Sequence, residues 1–218
     1  MAPTTSLMTF TPADLDIARA LGMEPGDTGG PLSRHSAAPV STAELWRDVR
    51  RVADALGVPE RGVQVVTRWR HRLRAIAERA AARPRRRVAV LLGGSGGEAA
   101  EVWRAELLSL AGADDAMAGR CGEGVRALAA ADPDAILIAP AGAGFDTARA
   151  LLEDLASRRG WKSLRAVRGG QVLLADGRAG FSRPGTHVIR TLEVLAEALH
   201  PEAFRFGHHG LLWRRWAA

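Results

Sequence analysis

The chain has 218 residues, 47% apolar and 25% charged, enough to bury the core of one ordinary domain or of two small lobes. This composition excludes a disordered chain, a collagen-like chain and a disulfide scaffold, and no apolar run reaches the roughly 18 residues that a membrane-spanning helix needs. The net charge is +6, and Lys162 is the single lysine among 30 basic residues. Because the arginines are scattered and not interleaved with aromatic residues, the sequence predicts no nucleic-acid partner.

The single cysteine and the first ten residues bear on the location of the chain. Cys121 has no second cysteine to pair with, which excludes an internal disulfide and a thiolate metal site. Residues 1–10 contain neither the basic segment nor the apolar segment of a secretory signal. We therefore expect the sequence as written to be cytoplasmic, or its start to be incorrectly assigned.

The first 84 residues predict helices and no strand. Residues 1–40 are rich in proline and glycine and favour one short helix, from Thr11 to Leu21, followed by a loop. A second helix begins after a Ser41 or Thr42 cap and ends at Gly57. A third runs from Pro59 to Ala82 with the apolar stripe Val66, Trp69, Leu73, Ile76 and Ala80. At about 24 residues it would be about 35 Å long, the width of a whole domain.

The pattern changes to alternating strands and helices from residue 85 onward. Three short apolar runs are typical of parallel strands buried on both faces: 88–92, 135–139 and 171–175. Helical patterns follow or precede them at about 98–111, 121–131, 147–159 and 184–199. The alternation predicts an α/β fold with a mostly parallel sheet.

A glycine loop is the first candidate for chemistry. Gly93–Gly97 follows a strand and precedes a helix, where a phosphate could bind helix N–H groups. The match to a dinucleotide fingerprint is only approximate, because Asp114 and Asp115 are expected in a loop, not at a strand end, and no lysine is placed as in a P-loop. A flexible turn is the competing interpretation, and a nucleotide-using enzyme remains a further alternative.

The remaining polar residues favour no catalytic or metal site. His200, His208 and His209 have no carboxylate or thiol beside them at metal-ligand spacing. Ser95 and Ser182 have no evident His–Asp arrangement around them. We therefore expect no catalysis, no metal and no resident cofactor.

Five segments, in order and at characteristic spacing between residues 86 and 204, resemble one known family. They are WRAELLSLAG at 103–112, DPDAILIAP at 132–140, the stretch from Gly160-Trp161 to Gly169-Gly170-Gln171-Val172, GFSRPG at 180–185 and LEVLAEALHPE at 192–202. Together they resemble the substrate-binding proteins of ABC importers for cobalamin and iron-siderophores. The resemblance implies a chain that captures cobalamin or a ferric siderophore and delivers it to an ABC permease.

The resemblance also implies a domain organisation. The family has two α/β lobes, joined by a long rigid helix, with the ligand between them in the periplasm or at the cell surface. Residues 85–204 would be one complete three-layer C-terminal α/β lobe with a mostly parallel sheet, and 41–84 the linker helices. Residues 1–40 are too few for a second lobe, so the N-terminal lobe would be reduced or missing, and 205–218 would form a tail.

Ligand-binding and permease-contacting residues follow only from this resemblance. Phe181 and Arg183 match the loop that faces the ligand, where an aromatic face can stack on a corrin and a guanidinium can bind an amide oxygen or a carboxylate. Trp103 matches a tryptophan of the family's cleft, and Phe145 lies in a matching segment. The competing interpretation packs Phe181 and Trp103 in the core and uses Arg183 to cap a turn. On this lobe Glu101, or Glu106, would contact the permease.

The short N-terminal part leaves a second function open. A single lobe without its partner lobe would expose an apolar cleft face, which favours self-association. One alternative is therefore a transport protein that has lost function. The other is a non-transport interaction module that forms a homodimer.

Overall fold

The computed structural model describes residues 12–23, 39–93, 97–120, 122, 124–182 and 184–216. The helices in this part of the chain are α1 (Pro12–Ala20), α2 (Thr42–Ala55), α3 (Pro59–Ala81), α4 (Gly97–Leu110), α5 (Val125–Ala131), α6 (Phe145–Ser157), α7 (Arg165–Arg168) and α8 (Val188–Leu199). The strands are β1 (Arg86–Leu91), β2 (Ala113–Asp115), β3 (Ala135–Ile138), β4 (Val172–Ala175) and β5 (Trp213–Arg215). No helix within these ranges is both long and apolar enough to cross a membrane.

Five strands form one sheet in the order β2-β1-β3-β4-β5. The first four are parallel, with Val88 opposite Ala135 and Leu137 opposite Leu173, whereas β5 runs antiparallel to β4. β3 is buried throughout, and β1 is buried except for its first two residues. Because helices cover both faces of the sheet, the side chains on both sides of these strands have to be apolar. The predicted α/β fold with a mostly parallel sheet is confirmed.

Both edge strands come from segments that the sequence did not mark as strands. Asp114 and Asp115 were expected in a loop but belong to β2, so that expectation is wrong. Residues 205–218 were set apart as a tail, and the structure pairs Trp213–Arg215 from this segment with β4. Charged residues are common on short edge strands, which explains the weak sequence signal.

Helices cover the sheet on both faces and enclose two apolar clusters. The larger cluster joins α1, α2, α3, α4 and α8 to one face, and the smaller joins α5, α6 and α7 to the other. The N-terminal helices α1 and α2 therefore share the core of the sheet domain. Before α2, the described residues 12–23 and 39–41 contain one helix and no strand.

The N-terminus of α2 is held by two carboxylates. Ser41 caps the helix by accepting the amide of Glu44, and Glu44 in turn accepts the amide of Val40 at 2.8 Å. Glu106 of α4 accepts both the amide and the hydroxyl of Thr42, at 3.1 and 2.6 Å. These contacts tie the start of α2 to α4, so the orientation of the N-terminal helices on the domain is set by charge as well as by packing.

Candidate functional site

The carboxyl ends of the parallel strands meet at one edge of the sheet, which is where open α/β proteins bind ligands. The loops that follow β1, β3 and β4 lie there, together with the start of α8. In the glycine loop predicted as a phosphate site, Gly94, Ser95 and Gly96 lie outside the described residues. Gly177 brings two of the loops together, since its amide donates to the carbonyl oxygen of Ala143 at 2.9 Å.

Trp103 and Phe181 lie beneath this edge in the apolar core. The side chain of Trp103 on α4 is completely buried, and Phe181 is 1% exposed. The indole Nε1–H of Trp103 donates to the carbonyl oxygen of Gly180 at 3.2 Å, next to Phe181. In this conformation neither ring exposes a face to a ligand. Both side chains are packed in the core, as the competing interpretation of the sequence expected. Their ligand-binding role stays a prediction that requires the 180–182 loop to move.

Phe145 is half-buried at the first position of α6. The guanidinium of Arg214 on β5 lies 4.7 Å from the centre of its ring, a cation–π contact. This arrangement occupies one face of Phe145. Arg183, the fourth predicted ligand-binding residue, lies outside the described residues.

The two candidate permease contacts differ in their surroundings. Glu101 is exposed on the first half of α4. Glu106 is half-buried and holds Thr42 with both of its carboxylate oxygens. Of these two residues, Glu101 can contact a partner protein directly, whereas Glu106 would first have to give up its hydrogen bonds to Thr42.

A groove at the same end of the fold was not predicted from the sequence. It lies between the middle of α3 and the start of α8, has a volume of about 560 Å³, and is lined by Arg68, Trp69, Arg72, Thr186, His187, Ile189, Arg190 and Glu193. We call these eight residues the α3–α8 groove. Its volume lies in the range of small-molecule pockets, but the groove is open to solvent over much of its surface.

The groove occupies a gap in the packing of α3. In the stripe predicted for this helix, Val66 and Leu73 are buried, whereas Trp69 between them is only half-buried. α3 contacts α2, α4 and α8. Trp69 lines the groove together with residues at the start of α8. The centre of its ring lies 5.9 Å from that of Trp46 on α2, which packs against Trp69 but does not itself line the groove.

Positive charge dominates the polar side of the groove. Arg72 forms an ion pair with Glu193 at 2.6 Å, and the other oxygen of Glu193 lies 3.2 Å from Nε2 of His208. Arg68 and Arg190 are exposed. The hydrogen bond from Arg178 lowers the pKa of the Asp176 carboxyl, and the charge of Arg190 lowers it further. Among the residues that line the groove, three guanidinium groups accompany one carboxylate.

The groove borders the loop that carries Phe181 and Arg183. His187 lies against Gly180 and Gly185, and a Cβ atom at Gly185 would lie 2.5 Å from Cε1 of the imidazole. Gly180 has a φ of +96°, a conformation that only glycine adopts without strain, and a Cβ there would overlap the same ring. Because Gly180 and Gly185 have no Cβ atoms, the backbone at these two positions can pack directly against the imidazole of His187.

The described residues contain no group of three or more His, Cys, Asp and Glu side chains arranged to hold a metal ion. The α3–α8 groove instead combines guanidinium groups, a hydroxyl and apolar surface. These are groups that bind and orient a ligand by hydrogen bonds, charge and stacking.

Comparison with known proteins identifies the family. The family model described as "Periplasmic binding protein" matches residues 16–179. A periplasmic heme-binding protein from Pseudomonas aeruginosa is similar, with 26% identity and a TM-score of 0.66 over 96% of this chain and 75% of that one. No curated protein sequence matches significantly.

Two further solved structures share the fold at lower identity. An ABC transporter substrate-binding protein from Listeria monocytogenes has a TM-score of 0.62 and 17% identity, over 72% of this chain and 64% of that one. A protein of an ABC-type Fe³⁺-hydroxamate transport system from Saccharomonospora viridis has a TM-score of 0.57 and 21% identity, over 78% and 58%. The chain therefore spans less than two thirds of the length of these two proteins. With the family model matched over residues 16–179, the chain belongs to the periplasmic binding protein family.

Proposed function

We propose that this chain is the substrate-binding component of an ABC importer and that its ligand binds in the α3–α8 groove. The observation that carries the proposal is the position of the groove between α3 and the start of α8. The chain that contains this groove belongs to the periplasmic binding protein family. Residues 41–84 would then act as the linker, and 85–204 as the lobe that carries most of the site.

The walls of the groove favour capture without a large movement. The Arg72–Glu193 ion pair joins α3 to α8 across the groove, and Glu193 is also held by His208. Arg72 lies 5.0 Å from the ring centre of Phe206, which extends the same connection to the C-terminal segment. A site held in this way loses little conformational entropy when it binds a ligand.

The ligand classes to consider come from the resemblance and from the similar proteins. The segments of the sequence resemble receptors for cobalamin and iron-siderophores, and the Pseudomonas aeruginosa protein binds heme. The partner would be an ABC permease in the membrane, contacted through the exposed Glu101, and the chain would act in the periplasm or at the cell surface.

The first test is a binding panel with the purified chain. Hemin, cyanocobalamin, ferrichrome and ferric citrate are titrated while tryptophan fluorescence is followed, and the stoichiometry is measured by equilibrium dialysis. Trp69 lines the groove and its ring lies 5.9 Å from that of Trp46, so occupancy should quench part of the emission. We expect one probe to bind at a single site with a Kd in the micromolar range or tighter, weakened by Trp69→Ala and unaffected by Trp216→Ala on the far face.

The second test is uptake. Cells that lack the gene for this chain should take up the bound probe more slowly, and Glu101→Arg should restore uptake less well than the wild type while binding stays normal. Unchanged uptake in the deletion strain would refute the transport proposal. If no probe binds and sedimentation shows a dimer, the chain is instead the interaction module that the sequence left open.

A further inference from the structure

We infer that the segment from Phe204 to Trp213 fixes the separation of α3 and α8 at the groove, and that the buried carboxylate of Glu197 positions this segment. We call residues 204–213 the C-terminal brace. The inference rests on the proposed function in one respect, because it treats the α3–α8 groove as the ligand site. It concerns the shape of that site and does not depend on which ligand binds there.

Glu197 on α8 holds the brace at two points. Its side chain is buried, and the residue is 5% exposed. Its carboxylate accepts the amides of Gly207 at 3.2 Å and of His208 at 2.9 Å, and the indole Nε1–H of Trp213 at 3.4 Å. Burying a carboxylate is unfavourable unless its oxygens accept hydrogen bonds, and bonds to a charged acceptor are stronger than neutral ones. Since all three donors belong to the brace, the carboxylate ties the brace to α8.

The brace has little regular structure that could hold it in place without Glu197. Residues 204–212 form neither a helix nor a strand, so their position depends on individual contacts. The carbonyl oxygen of His208 accepts the amides of Leu211 and Leu212 at 3.1 and 2.8 Å. The turn that leads into β5 therefore begins at the residue whose own amide donates to Glu197.

The aromatic rings of the brace contact α3. The guanidinium of Arg72 lies 5.0 Å from the ring centre of Phe206, and that of Arg79 lies 5.1 Å from the ring centre of Phe204. The two rings stack on each other, with their centres 5.6 Å apart. Arg72 and Arg79 are seven positions apart, which is two turns or about 10 Å along one face of the helix. Two cation–π contacts therefore hold the brace along this length of α3.

The brace acts on the groove through two residues that line it. Glu193 lies one turn before Glu197 on α8. One oxygen of Glu193 accepts Nε–H and Nη2–H of Arg72 at 2.9 and 2.6 Å, and the other lies 3.2 Å from Nε2 of His208. Arg72 and Glu193 line the groove, whereas none of the ten residues of the brace does. The residues of the brace are therefore positioning residues that do not touch what the groove binds.

The Arg72–Glu193 ion pair alone is too weak to fix the walls of the groove. The side chain of Arg72 is 46% exposed, and ion pairs that are open to water contribute little. The ring of Phe206 and the imidazole of His208 restrict the two partners of this pair. If the brace moves away, both side chains regain rotamer freedom, which a ligand must remove again when it binds.

The test compares Glu197→Gln with two controls. Gln keeps the shape of Glu but replaces one acceptor oxygen by an NH2 group, which must then face N–H groups of the brace. Glu202→Gln makes the same change at an exposed carboxylate three residues after the end of α8. Leu152→Ala leaves a cavity in the smaller apolar cluster on the opposite face of the sheet, so it controls for a general loss of stability.

The first measurements need no ligand. Hydrogen exchange followed by mass spectrometry reports the two brace amides that donate to Glu197, and acrylamide quenching reports Trp69 as the difference between each variant and its Trp69→Phe form. Because local opening exposes both reporters, Glu197→Gln should exchange the two amides about tenfold faster and quench Trp69 about twofold more strongly. Glu202→Gln should match the wild type in both. Leu152→Ala should lower the urea midpoint and leave the quenching of Trp69 unchanged.

The second measurement is the Kd of whichever probe of the panel binds. Glu197→Gln should raise this Kd about threefold to tenfold, because binding then has to order Arg72 and Glu193 again. Phe206→Leu keeps apolar bulk but removes the ring beneath Arg72, and it should act in the same direction without removing a hydrogen bond. The double variant should change the Kd by less than the product of the two single changes, since both residues act through the same segment.

The outcomes separate the inference from the proposed function. If the brace amides exchange faster but the quenching of Trp69 stays at the wild-type value, the inference is overturned. It is also overturned if Leu152→Ala raises the quenching as much as Glu197→Gln, or if the effects of Glu197→Gln and Phe206→Leu multiply. If the quenching of Trp69 rises only in the brace variants but no probe binds, the inference about the groove stands and the proposed function fails.

Discussion

Replacing Trp103 by phenylalanine distinguishes a core residue from a ligand-binding one. Trp103 is fully buried on α4, and its Nε1–H donates to the carbonyl oxygen of Gly180 at 3.2 Å. Trp103→Phe removes one ring of the indole and leaves a cavity on the order of 40 Å³, which costs about 1 kcal/mol. The carbonyl of Gly180 loses its side-chain donor, which costs about a further 1 to 2 kcal/mol.

We therefore expect the free energy of unfolding to fall by about 2 to 3 kcal/mol, and the Tm to fall by about 5 to 10 °C for a chain of this size. Urea unfolding followed by circular dichroism measures the first quantity and calorimetry the second. The Kd of whichever probe of the panel binds should change less than twofold, because no part of the indole reaches the surface in this structure.

Trp69→Phe is the matched control, because it makes the same chemical change at a half-buried indole that lines the groove. It should lower the free energy of unfolding by less than about 1 kcal/mol and weaken binding of that probe several-fold. The opposite pattern, in which Trp103→Phe weakens binding tenfold and leaves stability unchanged, would refute the packing argument and support the role that the resemblance implies for Trp103.

Three further predictions concern the elements that position the site. Gly177→Ala should destabilise the chain by about 2 to 3 kcal/mol in urea unfolding, because its Cβ would lie 2.6 Å from the carbonyl carbon of Pro140 and overlap the oxygen. Glu106→Ala should cost about 1 to 2 kcal/mol, measured in the same way, because it removes both hydrogen bonds that hold Thr42 at the start of α2. Burial lowers the pKa of His200 below its ordinary value of 6.5, so the unfolded chain binds a proton at a higher pH than the folded one. Stability should therefore fall as the pH drops below about 6.5, and His200→Gln should flatten this part of the profile.

The first two of these predictions have a control of the same chemical type. Gly142→Ala places a Cβ where nothing lies within 4 Å, at a φ of +70°, and should show only a conformational penalty of about 1 kcal/mol. Glu101→Ala removes an exposed carboxylate from the same helix as Glu106 and should leave stability unchanged. A control that matches its test variant would contradict the corresponding argument.

Local sequence patterns were sufficient for the central elements of the fold. The apolar runs at 88–92, 135–139 and 171–175 correspond to β1, β3 and β4, and the periodic apolar residues of 59–82 to α3. These signals are strong because a strand covered by helices on both faces must be apolar throughout, and a helix on a sheet must bury one stripe. The short edge strands β2 and β5 meet neither condition, since each has three residues and charged side chains at its exposed positions.

The same patterns did not distinguish residues that differ in their surroundings. Trp69 and Trp103 both occur at apolar positions of helices, yet one borders a groove and the other has no exposed surface. Glu106 and Glu101 lie on one helix, but Glu106 contacts Thr42, which is 64 positions earlier in the chain. Such differences depend on which other element packs against each helix face, and no local pattern records that.

By itself, the amino-acid sequence determined the fold class, the long helix α3 and the resemblance to a family of binding proteins, because each of these depends on periodicity or on short segments in a fixed order. Only the tertiary structure decided where a ligand could bind. Trp69 and Ile189 line one groove because α3 and α8 pack on the same face of the sheet. This groove is a property of helix packing between segments far apart in the chain, and neither segment alone contains a signal for it.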